Sequence, residues 1–146
     1  MTDTAGDGGG GGGVTKHHSA VTPGVTVVNW NLGTPGQIYP SVVTPTASTA
    51  NITVGNVTTN LVANPGTNGN VTTAGVGGNA TGGNIGNYTG HNGARTNTWD
   101  GGGNGLDLTD NTTEDGDSSA LTGVGAPGGS THPGGLPMIV IIARTS

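Results

Sequence analysis

A single continuous apolar run, residues 136–144, constrains what this chain can fold into more than any other stretch. It reads LPMIVIIAR, and four of the six residues 138–143 are β-branched. Pro137 disfavours a helical conformation for the residue before it, and β-branched side chains favour strands. An apolar run of this length next to glycine and proline is typical of a strand buried on both faces, and it is too short to cross a membrane. We therefore expect residues 136–144 to anchor a small core, without membrane insertion.

The rest of the chain offers little material for such a core. Glycine accounts for 32 of the 146 residues. Apolar residues make up 29%, against about 45–50% in ordinary globular domains. Because glycine adds no side chain and loses the most entropy on ordering, a large apolar core is excluded. Val, Ile and Thr nevertheless recur in strand-like clusters, so we favour a structure held by backbone hydrogen bonds over a flexible, linker-like chain.

Charge and cysteine content exclude several function classes. The net charge is −5 and only three residues are basic, which argues against a nucleic-acid-binding face. The chain has no cysteine, so a disulfide framework and a thiolate metal site are both excluded. The first ten residues lack the basic and apolar regions of a secretory signal, and we expect no signal peptide.

The glycine run at residues 8–13 suggests a division of the chain into a glycine-rich arm, residues 1–13, and a single β- and glycine-rich domain, residues 14–146. One interpretation of the run is a flexible arm. The other is an extended polyproline II conformation that packs closely against the shorter glycine runs elsewhere, since no side chain projects from it. Their spacing lacks a strict three-residue period, which excludes a collagen triple helix.

Residues 25–32, VTVVNWNL, have the alternation of a β-strand after a turn at Pro23-Gly24. Val28, Trp30 and Leu32 share one face, and we expect Trp30 to cover part of the core and this strand to partner residues 136–144. Further short β segments precede and follow Gly55, and Asn68-Gly69 is the strongest hairpin signal. No window has a helical apolar period. The predicted fold is all-β, with extended glycine-rich loops resembling polyproline or polyglycine II, a small core around the C-terminal strand, and little or no helix.

An acidic stretch, residues 107–117, is the best candidate metal site. Clustered carboxylates on a glycine-containing loop are the oxygen ligands that calcium prefers. The spacing does not match an EF-hand, and the preceding GGNGLDLT is one imperfect copy of a calcium-binding nonapeptide repeat. A solvated acidic loop and a calcium site both remain open, with the loop favoured. The candidate ligands are Asp107, Asp110, Asp115 and Asp117.

Catalytic chemistry finds no support in the sequence. Serine and histidine are present without a nucleophile-elbow motif, and the glycine runs lack both a P-loop and a following helix. His17 and His18 are adjacent, so on a strand they would face opposite sides; one histidine per chain could still form a site around a trimer axis. We expect no enzymatic activity and no catalytic or cofactor-binding residues.

Three stretches together resemble a known class of protein: GDGGGGGG near the start, SAVTPGVTVVNWNLGTPG, and GAPGGSTHPGGLPMIVIIARTS at the end. The set is similar to the glycine-rich domains at the ends of bacteriophage tail-fibre and other virion proteins. The resemblance covers roughly the first 36 and last 25 residues. The middle has more Thr, Val and Asn than the glycine-richest examples, which argues against a polyglycine II bundle over the whole chain.

The resemblance implies a non-enzymatic virion component (a fibre tip, an adhesin or a decoration protein) that is assembled in the host cytoplasm. It also implies a homo-oligomer, with a trimer favoured, contacts with other virion proteins, and a host-surface receptor. The alternative is an extracellular filament or matrix subunit that assembles by strand exchange. Ice binding through Thr and Asn rows lacks the fixed Thr-x-Thr period it would need. The expected assembly and core residues are Val28, Trp30, Leu32, Met138, Ile139, Val140, Ile141 and Ile142.

Overall fold

The computed structural model of the protein describes residues 10–36, 41–69 and 73–93. These ranges contain β-strands and no helix, which confirms the prediction of an all-β fold with little or no helix. Within them, accordingly, there is no helix long and apolar enough to cross a membrane. The strands are β1 (Val14–Lys16), β2 (Thr26–Asn31), β3 (Ser48–Val54), β4 (Val57–Ala63), β5 (Ala80–Thr81) and β6 (Gly86–Tyr88).

Strands β2 to β5 form one antiparallel sheet in which each strand lies beside the next along the chain. The strand predicted at residues 25–32 is confirmed as β2, shorter by one residue at each end. The predicted turn before it is also confirmed. The Val25 N–H donates to the Thr22 carbonyl at 3.0 Å, and Gly24 has a φ of 74°. Pro23 at the second position and a glycine with positive φ at the third are the features of a type II turn.

Strands β3 and β4 form a hairpin that the sequence pattern did not predict. From the sequence, Gly55 is expected to separate two short segments, whereas the structure pairs Val54 with Val57 across a two-residue loop. Gly55 has a φ of 62°, the positive value that tight hairpin turns need at their first loop position. Glycine followed by Asn56 between two β-branched runs is itself a hairpin signal. The chain reversal therefore lies at Gly55, upstream of the stronger Asn-Gly signal.

The second sheet consists of β1 and β6, which are far apart in the chain and pair antiparallel. Two asparagine side chains extend this pairing. The Asn84 amide accepts the His18 N–H at 2.9 Å and donates to the His18 carbonyl at 2.8 Å. Asn87 accepts from the Thr15 hydroxyl and from the Gly83 N–H, and donates to the Gly83 carbonyl. Because a side-chain amide has the donor and acceptor of a peptide group, it can replace a missing strand partner.

Four segments without strand assignment pack against one another, and we call them the glycine bundle: residues 10–13, 64–67, 75–79 and 90–93. Their main chains are joined by hydrogen bonds at intervals of three residues. Residues 10 and 13 donate to 67 and 64; residues 64 and 67 donate to 79 and 76; residues 90 and 93 donate to 78 and 75. An interval of three residues is the turn of a polyproline II helix, which has no hydrogen bonds of its own.

Close backbone approach explains why this bundle contains so many glycines. A Cβ on Gly10 would overlap the Val76 carbonyl, and one on Gly90 would overlap the carbonyl of Gly11. Gly10 and Gly11 are buried, although they belong to the predicted arm. Of the two interpretations of the glycine run, close packing is the one that residues 10–13 show. The polyproline II conformation of these segments stays a prediction.

Apolar side chains form almost no core in this part of the protein. Among the described residues, Val14 is the one buried hydrophobic side chain, with 7% of its surface exposed. It lies on β1, directly after the first glycine segment and opposite Tyr88. The described segments are therefore joined by main-chain hydrogen bonds rather than by a cluster of buried apolar side chains. The predicted core strand, residues 136–144, lies outside the described residues.

Candidate assembly surface

Alternation along the strands separates the four-stranded sheet into an apolar and a polar face. Residues directly opposite one another on antiparallel strands point to the same side of the sheet. Trp30 pairs with Ala50, which pairs with Leu61, while Val28 pairs with Ile52. We call this side the apolar sheet face; its large side chains are Val28, Trp30, Ile52, Val54, Val57 and Leu61.

The apolar sheet face is incompletely covered. Trp30 is 59% exposed and Val57 64% exposed. Val28, Ile52 and Leu61, nearer its centre, are half-buried. Large side chains that remain exposed together on one face mark an interaction surface more often than an ordinary solvent-facing surface. The face has the composition of a sheet that packs against a second layer, and no described strand forms that layer.

Val28, Trp30 and Leu32 are the predicted assembly or core residues that lie within the described ranges. Trp30 and Leu32 expose 59% and 48% of their surfaces there, and Val28 is half-buried. Because residues 136–144 lie outside the described residues, the place of these three side chains in a core stays a prediction. The alternation identified the shared face correctly, but it carries no information about what covers the face. Their role in assembly stays a prediction. Met138, Ile139, Val140, Ile141 and Ile142, and their pairing with β2, lie outside the described residues.

Four further apolar-face residues are absent from the residues predicted from the sequence: Ile52, Val54, Val57 and Leu61. The signal for them was present, since each lies at an alternate position in NITVGNVTTNLV. If Gly55 only separates two segments, the sequence does not show that these positions share a face with Trp30. The hairpin reverses the chain and brings Leu61 into the same cross-strand row as Trp30.

The described ranges contain no acidic residue, and Lys16 is the one residue with a permanent charge there. The Lys16 ammonium lies 5.8 Å from the centre of the Tyr88 ring, a cation–π contact. The apolar sheet face itself carries no ionisable group. Copies of this face can therefore approach one another without repulsion between like charges and without burying an unpaired charge.

The predicted metal sites find no counterpart in the described part of the chain. Asp107, Asp110, Asp115 and Asp117 lie outside it. Within residues 10–36, 41–69 and 73–93, no group of three or more metal-ligating side chains comes together. The Nδ1 atom of His17 is buried and has no hydrogen-bond partner among the described residues, while the neighbouring His18 is exposed.

Comparison with models of protein families, with curated proteins and with solved structures finds no match to this chain.

Proposed function

We propose that this protein is a non-enzymatic structural component of a bacteriophage virion: a fibre tip, an adhesin or a decoration protein. It acts by assembling with copies of itself and with other virion proteins, and by contacts at the particle surface. The observation that carries the proposal is the incompletely covered apolar sheet face, with Trp30 at 59% exposure in a chain of low hydrophobic content. The resemblance of the terminal stretches to virion fibre domains supplies the class.

Assembly has a physical basis in the burial that a single chain lacks. Small or glycine-rich chains bury too little apolar surface to be stable alone, and oligomerisation supplies the missing burial. On the apolar sheet face, the side chains that would gain most are Trp30 and Val57, because they are the most exposed. A trimer is the state that the resemblance favours. Assembly in the host cytoplasm, incorporation into the virion and recognition of a host-surface receptor follow from the same resemblance.

The composition suits a particle exposed to changing surroundings. Few ionisable groups limit the effect of salt, and the lack of cysteine excludes thiol–disulfide exchange when redox conditions change. Main-chain hydrogen bonds between glycine segments hold the described fold without long, flexible side chains. These features support a rigid structural part rather than a catalyst, because a chain with so few apolar side chains is poorly suited to lining a pocket in which the pKa of a catalytic group would shift.

One observation favours the alternative, an extracellular filament or matrix subunit that assembles by strand exchange. Strand β2 (Thr26–Asn31) is an edge of the four-stranded sheet, and it pairs only with β3 among the described strands. An open edge of six residues can accept a strand from a neighbouring chain. The two proposals differ in the assembly they produce, since strand exchange propagates whereas packing around an axis closes.

Size-exclusion chromatography with light scattering, on the full chain over a wide concentration range, tests the proposal. A closed oligomer of constant mass, with a trimer expected, supports the virion component. Polymers that grow with concentration support the filament. A monomer at all concentrations contradicts both. Mass spectrometry of purified phage particles is the complementary test, and absence of the chain from the particles of a phage that encodes it overturns the virion assignment.

A further inference from the structure

The polar face of the four-stranded sheet carries a regular array of uncharged hydrogen-bonding groups. Asn29 lies directly opposite Asn51, and Asn51 directly opposite Asn60, so that three amides form one row across three strands. All three residues are exposed. The neighbouring rows add Thr53 opposite Thr58 on one side, and Asn31 opposite Thr49 on the other. Val27 and Val62 complete these two rows, so the amides form the centre of the face and two of its corners are apolar. We call this surface the asparagine face.

The dimensions of the array follow from sheet geometry. Neighbouring strands lie about 4.8 Å apart, and side chains two residues apart on one strand repeat at about 6.7 Å. Each amide in the row offers an acceptor oxygen and a donor nitrogen. Thr53 and Thr58 are already joined through their hydroxyls at 2.9 Å, which orders the row beside the amides. The result is an uncharged array of donors and acceptors around the central row of amides, with Val27 and Val62 at two of its corners.

A contrast between two groups of asparagines indicates that this face is not built for internal support. Between residues 64 and 93, the described asparagine side chains form hydrogen bonds with other parts of the fold, as described for Asn84 and Asn87. The same holds for the remaining asparagines there, namely Asn64, Asn68, Asn79 and Asn92. On the asparagine face, no hydrogen bond joins the amides of Asn29, Asn51 and Asn60 to another described residue. These three amides are exposed and available to a ligand.

We propose that the asparagine face binds neutral carbohydrate. Sugar hydroxyls donate and accept hydrogen bonds, as the amides do, and a chain of sugars presents them repeatedly along a flat surface. The absence of charge on this face favours neutral sugars over sulfated or carboxylated ones, because an acidic sugar would find no cation to pair with. The face has no aromatic ring for stacking. A single contact is therefore weak, and repeated contacts along a polymer supply the affinity.

This inference goes beyond the proposed function and does not depend on it. The apolar sheet face and the asparagine face lie on opposite sides of the same sheet, so each can be changed while the other is kept. In a virion protein, the carbohydrate would belong to the surface of the host. In a matrix protein, it would belong to the surrounding polymer. The chemistry of recognition is the same in both cases.

Affinity electrophoresis tests the proposal with the full chain. Native gels are cast with dextran, yeast mannan or laminarin, and retardation is measured against a gel without polysaccharide. We expect retardation by at least one of these neutral polymers. Dextran sulfate has the backbone of dextran with added negative charge, and we expect no retardation by it. No retardation by any of the three neutral polymers overturns the proposal.

Two variants assign the binding to this face. In Asn29→Val/Asn51→Val/Asn60→Val the amides are replaced by a residue with higher strand propensity, and we expect the apparent dissociation constant to rise at least about tenfold. Asn51→Val alone, which changes the fold less, is expected to raise it about threefold or more. The control is Asn56→Gly, which removes an exposed amide from the hairpin turn without restricting the backbone. Equal binding by wild type and the triple variant overturns the assignment.

The same variants distinguish carbohydrate binding from assembly through the apolar sheet face and from ice binding. Asn51→Val is expected to keep the oligomeric state of the wild type, whatever that state is, because it leaves the apolar sheet face unchanged and adds a single apolar side chain to the asparagine face. Thermal hysteresis of freezing that the triple variant loses, without polysaccharide binding by the wild type, would assign the face to ice and overturn the carbohydrate proposal.

Discussion

Gly78 donates its N–H to the carbonyl of Gly11 at 2.8 Å, while its own carbonyl accepts the N–H of Gly90 at 2.9 Å. A Cβ on Gly78 would overlap the carbonyls of Asn64 and Pro65. All three other segments of the glycine bundle therefore meet at this one buried residue. No other residue type fits the position, because the side-chain direction is occupied by main-chain atoms.

Replacing this glycine is expected to destabilise the protein strongly. Gly78→Ala forces the backbone of residues 64–65 to move, at a cost of about 3 kcal/mol or more in the free energy of unfolding. Val76→Ala is the matched control. It lies in the same segment with a side chain 57% exposed, so a change within about 0.5 kcal/mol is expected. Urea denaturation measures both. Equal stability of the two variants would show that the bundle does not form as described.

The hairpin turn makes a separate prediction about backbone conformation. Gly55 has a φ of 62°, and nothing lies within 4 Å of a Cβ built on it. The cost of a side chain there is therefore conformational and not steric. Gly55→Ala is expected to lower the unfolding free energy by about 1–2 kcal/mol. Gly55→Asn is expected to cost less, because asparagine tolerates positive φ better. Thermal or urea unfolding of both checks the order, and a costlier Asn variant contradicts it.

The side chain of Asn87 is expected to hold the smaller sheet to the loop before it. Asn87→Ala removes the bonds to Thr15 and to both main-chain groups of Gly83. Because the residue is exposed and water replaces part of the loss, we expect a cost of about 1–2 kcal/mol. Asn56→Gly, which removes an amide without a partner among the described residues, should change stability by a few tenths at most. Urea denaturation compares the two, and indistinguishable midpoints would count against the role of Asn87.

Trp30 tests the proposed assembly. Trp30→Thr removes the largest exposed side chain of the apolar sheet face and keeps strand propensity. Because Trp30 is largely exposed, the stability of the isolated chain should change by about 0.5 kcal/mol or less. We expect the oligomer to dissociate at concentrations where the wild type is assembled, as measured by light scattering. Val27→Thr, on the opposite face of the same strand, is the control and should assemble normally. If Trp30→Thr has the same oligomeric state as the wild type, the interface does not include Trp30 and the proposed assembly surface is wrong.

Local patterns in the sequence predicted several elements well. The alternation around Trp30 placed β2 and its shared face, because a strand has a side-chain period of two. Pro23-Gly24 predicted its turn, because proline and glycine restrict or permit particular φ values at particular turn positions. The absence of a helical period correctly excluded helices from the described ranges. The hairpin at Gly55 differs from the prediction, because Asn68-Gly69 is the stronger hairpin signal in the sequence and Gly55-Asn56 is a weaker one.

The sequence by itself determined that the described part of this chain forms strands rather than helices, and that a large apolar core is excluded. Local residue preferences and the shortage of apolar side chains are sufficient for that conclusion. Only the tertiary structure decided which glycine segments pack together. Every residue except proline offers the same main-chain donor and acceptor, so a residue pattern does not show which segments will pair. It also decided that Trp30 is exposed. Alternation assigns a side chain to a face, whereas coverage of that face depends on the position of distant parts of the chain.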